Sequence, residues 1–205
     1  AAKLTIENGT FNAKGTNGGA CVYNYCTVAI NGGNFESVGG YGLNNQSGAM
    51  MTLKNASVRG GIYVSGATLK VENSTVYQHI SGRHAIYNWS GNITVESGSF
   101  DSESGNELIL ADGTDASVVL NGGTYNKTAK SWLLGAATNK NISFVINGGT
   151  YNGYVNLPEN TVDTIRPYDD PIVVKGGMFN FNPTQWLAEG YEAVNNNSCW
   201  TVQLK

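Results

Sequence analysis

Proline is nearly missing, at 4 in 205 residues, and charge is thin: 13% of residues are Asp, Glu, Lys or Arg. A chain with little charge and with 10% aromatic residues lacks the composition of a disordered polymer, so a folded domain is expected. The 12 Lys and Arg are outnumbered by 15 Asp and Glu, and a net charge of -3 leaves few cations for phosphate contacts. No nucleic-acid partner is therefore expected. No run of 18 apolar residues exists, so no membrane insertion is expected either. Histidines number 2 and cysteines 3, with no spacing that suits zinc, and neither a metal nor a cofactor is expected. Cys21 and Cys26 are spaced for a bridge across a bend, but Cys199 lies far along the chain, so at least one thiol stays unpaired. The reading preferred here makes all three small core or turn residues.

What is abundant is glycine, at 27 residues, and it recurs in register with everything around it. The stretch Val118-Val119-Leu120-Asn121-Gly122-Gly123-Thr124-Tyr125 has relatives at Leu4 to Phe11, Val28 to Phe35, Met51 to Val58, Leu69 to Val76, Ile93 to Phe100, Phe144 to Tyr151 and Ile172 to Phe179. Successive copies begin 24, 23, 18, 24, 25, 26 and 28 residues apart. A period in that range marks a solenoid, in which one supersecondary unit stacks on the next. Within a copy the invariant apolar positions lie two apart, as in Ile93-Thr94-Val95-Glu96, which is the alternation of a strand. Asn-Gly, Gly-Gly or Ser-Gly then supplies a corner, and an aromatic residue or Val follows it. If the copies stack, those last residues form an internal column at the spacing of neighbouring strands.

The segments between copies repeat as well. Ala20-Cys21-Val22-Tyr23-Asn24-Tyr25 and His84-Ala85-Ile86-Tyr87-Asn88-Trp89 are nearly one hexad, with looser relatives at Tyr41 to Asn45, Gly61 to Ser65 and Trp132 to Gly135. Each coil thus holds at least a second strand. These features predict an all-β, right-handed parallel β-helix of about eight coils, right-handed because parallel crossovers overwhelmingly are. Residues 1–179 form the helix. Residues 180–205 form a cap in the same domain, with a short helix starting near Asn182-Pro183-Thr184 and a hairpin of Tyr191 to Val194 with Cys199 to Leu204. Trp186, Leu187, Tyr191 and Trp200 are suited to covering the last coil. The chain enters its first coil directly at Leu4, and a monomeric domain of a larger chain is expected.

Three segments hold residues with chemistry. Both histidines and an arginine fall in Tyr77 to His84, which is expected to be a solvated loop. From Ser99 to Ala116 the chain carries Asp101, Glu103, Glu107, Asp112 and Asp115. Carboxylates can serve as acid and base on a glycosidic bond or hold Ca²⁺, but the scattered spacing favours solvated turns. The connection from Gly153 to Pro171 reads as a rigid loop leaving the body, and Tyr23, Tyr25 and Tyr41 as stacked surface tyrosines. Asn24, Asn45 and Asn88 align, and an internal column bonded to corner backbone is expected of them.

The repeated Asn-Gly-Gly-Thr-Tyr at Asn121 and Asn147 is followed by Gly176-Gly177-Met178-Phe179 and Trp186-Leu187-Ala188-Glu189-Gly190-Tyr191. Together they resemble the pectate-lyase-like parallel β-helix modules of large bacterial extracellular and cell-surface proteins, over essentially the whole chain. The resemblance implies an extracellular or cell-surface setting. It carries no catalytic residue across, because the Gly-His-Gly and Arg-x-Lys motifs of the polygalacturonate-cleaving members are missing. Arg59, Arg83 and Arg166 also lack acidic partners at repeat-matched positions. The expected function is accordingly a non-catalytic, adhesin- or stalk-like module, with no catalytic residue, presenting a rigid face to a glycan or a host or cell-surface protein. Tyr23, Tyr63 and Tyr87, with Tyr25 and Trp89 two residues along, are its candidate ligand-binding residues. The alternatives are a polysaccharide lyase or glycoside hydrolase, with His84 or Arg83 working beside the acidic stretch, and a phage tail-fibre-type receptor-binding domain.

Overall fold

A computed structural model describes residues 2–16, 18–137, 141–153 and 172–205. The chain winds as a parallel β-solenoid with three sheets, one strand of each sheet per coil. Each repeated octad supplies two strands joined by a corner, and each hexad supplies the third, so the coil is three-sided rather than two-sided. Among the described residues the first sheet has 8 strands and the second 10, counting the two of the closing hairpin; the third has 6. Closing a turn takes one strand of each sheet, so the described residues form about six full turns rather than the eight coils expected. The two further rungs carry only their first and second sides among the described residues. The expected loop from Gly153 to Pro171 lies, after Gly153, outside the described residues.

The eight copies nevertheless stack in the register their sequences imply. Leu4 pairs with Val28, Val28 with Met51, Met51 with Leu69, and so on through Ile93, Val118, Phe144 and Ile172. In the second sheet Phe11, Phe35, Val58, Val76, Phe100, Tyr125, Tyr151 and Phe179 likewise follow one another. Their rings form the internal column: Phe11 lies on Phe35 at 4.8 Å and 3°. From Phe100 through Tyr125 and Tyr151 to Phe179 the centroids are 5.0, 4.8 and 4.6 Å apart. The buried Tyr125 and Tyr151 hydroxyls donate to the Gly122 and Gly148 carbonyls, each at 2.7 Å, which satisfies both groups in one step.

The three corners use different chemistry. Between the first and second sheets the Gly-Gly pair is needed twice over. A Cβ on Gly122 would lie 2.7 Å from the Glu96 carbonyl oxygen of the preceding coil, and Gly123 has φ +103°. Between the third and first sheets sits the expected asparagine column. Asn24 donates to the Asn45 side chain at 2.8 Å and to the Met50 carbonyl at 3.1 Å, and Asn45 to the Thr68 carbonyl at 2.8 Å. Val64 interrupts the column before Asn88 resumes it. Between the second and third sheets the last strand residue is again polar and buried: Ser37, Gln78, Ser102 and Lys127. Each bonds to corner backbone, of its own coil or of the coil before. Gln78 Nε2, for example, donates to the Gly60 and His84 carbonyls at 2.7 and 2.9 Å.

The end of the solenoid is closed by its own tail. The expected short helix is a single 3-10 turn, Thr184–Trp186, too brief to bury more than one large side chain, the Trp186 indole. Phe181 meets Phe179 edge-on at 5.4 Å and Trp186 edge-on at 6.3 Å. The strands Tyr191–Asn195 and Trp200–Leu204 form the hairpin, and the latter pairs antiparallel to Gly177–Phe179, covering the last parallel edge of the second sheet. Cys21, Cys26 and Cys199 are all free thiols. Among the described residues no helix is long and apolar enough to cross a membrane.

Candidate functional site: an aromatic groove on the third sheet

The third sheet is built from Val22–Asn24, Leu43–Asn45, Ile62–Ser65, Ile86–Trp89, Ile109–Ala111 and Leu134–Ala136. Alternation turns Ile62, Val64, Ile86 and Asn88 into the core and leaves Tyr63 and Tyr87 facing out on neighbouring rungs. Their rings lie 5.5 Å apart. Tyr23 is on the same outward column but is separated from Tyr63 by the rung of Asn44. Tyr25 stacks with Tyr23 at 6.2 Å and is 70% exposed, and Trp89 lies 6.3 Å from Tyr87 and is 42% exposed. All five expected residues therefore fall on one face, in two exposed groups around a half-buried pair.

What joins the groups is a residue outside the expected set. Tyr41 is 9% exposed, not a surface tyrosine, because it sits at the corner before its strand and folds down onto the sheet. Its ring stacks on Tyr63 at 5.6 Å and on Tyr87 at 6.5 Å. Burial pushes its hydroxyl up to about 12. The Arg83 guanidinium lies over the same ring, 5.1 Å from its centroid, and donates to the Gly39 carbonyl at 3.2 Å. Tyr23, Tyr41, Asn44, Tyr63, Arg83 and Tyr87 line a groove of about 450 Å³. That is within the size range of small-ligand sites.

Behind the groove the corner is charged. His84, expected on a solvated loop, is buried; its Nδ1 lies 2.9 Å from the Glu107 carbonyl oxygen and 3.7 Å from that residue's Oε2. Burial lowers the imidazole below its ordinary value, and the Glu107 backbone bond and carboxylate oppose that shift. The His84 ring stacks on Tyr87 at 5.1 Å, and the Tyr87 hydroxyl donates to Asp112 Oδ2 at 2.8 Å. Burial, then the bond to Asp112, raises the Tyr87 hydroxyl. Lys127 is buried too, and its Nζ donates to the Ser102 and Ser104 carbonyls. Burial lowers its ammonium to about 8, against the pull of Asp101 and Glu107.

The acidic stretch is thus only partly the solvated turns expected. Glu107 is buried and Asp112 is held by a tyrosine, because both follow a strand of the second or third sheet at its corner. Among the described residues no group of three His, Cys, Asp or Glu side chains is placed to hold a metal ion. Tyr41, His84 and Glu107 all stand two residues before a strand of the third sheet, at Leu43, Ile86 and Ile109, and these strands are in register. That shared position was the available signal. Its residue type changes from coil to coil, so a search for repeats passes over it.

The fold and the groove define a parallel β-solenoid with an aromatic face. Compared with protein-family models, with curated proteins and with solved structures, the chain matches none.

Proposed function

We propose that this chain is a non-catalytic β-solenoid module, extracellular or cell-surface in setting, that holds a glycan against its third sheet. The observation that supports it most directly is the cluster of Tyr41, Tyr63 and Tyr87 rings around the groove, flanked by exposed Tyr23, Tyr25 and Trp89. Aromatic faces stack on the apolar faces of sugar rings, while Asn44 and Arg83 stand beside them for hydroxyls. The sheet underneath is locked on both sides by neighbouring coils, so the rings are held in place before the ligand arrives and little order is lost on binding. The likeness to surface β-helix modules in the octad and closing motifs supports the same setting.

The test is retention on immobilised neutral and acidic polysaccharides, with Tyr63→Ala and Tyr87→Ala alone and together. Loss of one stacking ring is expected to weaken binding about tenfold, near 1.4 kcal/mol. Unchanged retention in the double variant on every glycan held by the wild type would end this reading. A second reading, an enzyme that cleaves polysaccharide, draws support from one arrangement: the Tyr87–Asp112 bond and buried His84 lie against the groove wall. New reducing ends or unsaturated sugars released from the same panel would favour it over the binding module.

A further inference from the structure

We infer that Arg83 is the specificity-determining residue of the groove and that the glycan it selects carries an anionic substituent, a carboxylate or a sulfate ester. This rests on the glycan-binding reading above. Among the described residues Arg83 is the only Lys or Arg lining the groove beside the tyrosines. It is half-buried, and its ion pairing is unlike that of Arg59, the other described arginine, which, contrary to the expectation above, has an acidic partner at the repeat-matched position: Glu36, at 3.0 Å. Among the described residues no carboxylate lies within ion-pair range of Arg83. Its hydrogen bonds, one from Nη2 to the Gly39 carbonyl and one to the Tyr41 hydroxyl, and its seat on the Tyr41 ring hold the guanidinium but leave most of its five donors uncommitted among the described residues.

The acids nearest the groove do not fill that role. Asp112 accepts from the Tyr87 hydroxyl, and Glu107 is buried against His84. A planar fork of donors, held over an aromatic ring and with no counter-charge among the described residues, matches the two oxygens of a carboxylate or sulfate. A neutral sugar would leave the charge without compensation. The tyrosines then stack the ring of the sugar while Arg83 reads its substituent.

Two matched pairs of probes test this: hyaluronan oligosaccharides against their carboxyl-reduced form, and keratan sulfate oligosaccharides against their desulfated form. The first pair offers a carboxylate and the second a sulfate without a uronic acid, so the pair that responds names the source. At least one anionic probe is expected to bind on the order of tenfold more tightly than its neutral counterpart, with a preference that falls as salt is raised. Arg83→Gln is expected to remove the preference, so that each anionic probe binds no better than its neutral counterpart, and Arg83→Lys to keep part of it. Equal binding of both members of each pair by the wild type, or a preference that survives in Arg83→Gln, would overturn the inference while leaving the groove a glycan site. Failure of the wild type to hold any of the four probes or any neutral polysaccharide would remove the glycan reading itself, and this inference with it. The salt dependence of the wild type stands even if Arg83→Gln folds poorly.

Discussion

Asn88 ties its corner with three hydrogen bonds: Nδ2 donates to the Gly91 and Ser117 carbonyls at 2.9 and 3.1 Å, and Oδ1 accepts from the Gly91 N–H at 2.8 Å. Asn88→Ala would leave the buried Gly91 N–H unmet and take one donor each from the Gly91 and Ser117 carbonyls, at a cost of about 1–3 kcal/mol. Urea unfolding should show it, with the exposed Asn196→Ala within about 0.5 kcal/mol of wild type as the contrast. Lys127 sets a pH dependence of definite sign. Its folded-state value, near 8, is below that of an unfolded lysine, so between them the unfolded chain binds a proton that the folded chain does not. Stability from this group therefore rises with pH above about 8. The difference in unfolding free energy between wild type and Lys127→Met is expected to move in favour of the wild type by about 1 kcal/mol from pH 7 to pH 9. A flat difference over that range would mean that the ammonium is not desolvated.

At the level of the element, the unit that repeats is a corner with a strand on each side. Gly122 makes the corner tight enough for the carbonyl of Glu96 in the coil before to approach it. Gly122→Ala forces those two backbones apart and is expected to cost about 1–3 kcal/mol. Gly105→Ala meets nothing within 4 Å and should stay within about 0.5 kcal/mol of wild type, both read from thermal unfolding. The third-sheet strands answer to another constraint. Their inward residues continue the core, so only the outward ones, Tyr63 and Tyr87 among them, are free to serve a ligand.

Across the whole molecule, stability is passed from rung to rung, because each coil touches chiefly the coils above and below it. The tail that covers the last rung therefore guards one end rather than the centre. Trp186→Ala removes the buried indole packed on Phe181 and is expected to cost about 3–5 kcal/mol. The loss should be local: amide exchange is expected to quicken first at Ile172–Val174 and Gly177–Phe179, while the rungs of Met51 and Leu69 keep their protection. Uniform quickening along the chain would show that the solenoid unfolds as one unit instead.

The spacing of the octads, read as a sequence, determined which residues are vertical neighbours, since a strand and a corner of constant design can only return to the same place one coil later. Phe11 over Phe35 and Tyr125 over Tyr151 follow from that alone, as does the inward asparagine column. The number of sides was not legible, because a corner inside the octad looks like the end of a unit; the third sheet and, among the described residues, the six or so full turns were decided by the tertiary structure. The outward tyrosines were legible from alternation. In the sequence Arg83, His84 and Asp112 stand out only for the cleaving alternative and Tyr41 only as a surface tyrosine; their meeting at the groove was not legible, since they belong to corners whose lengths and residue types differ between coils. Only the closing of each coil into three sides brings those corners over the third sheet, and it is there, where the backbone leaves its repeat, that the groove is made.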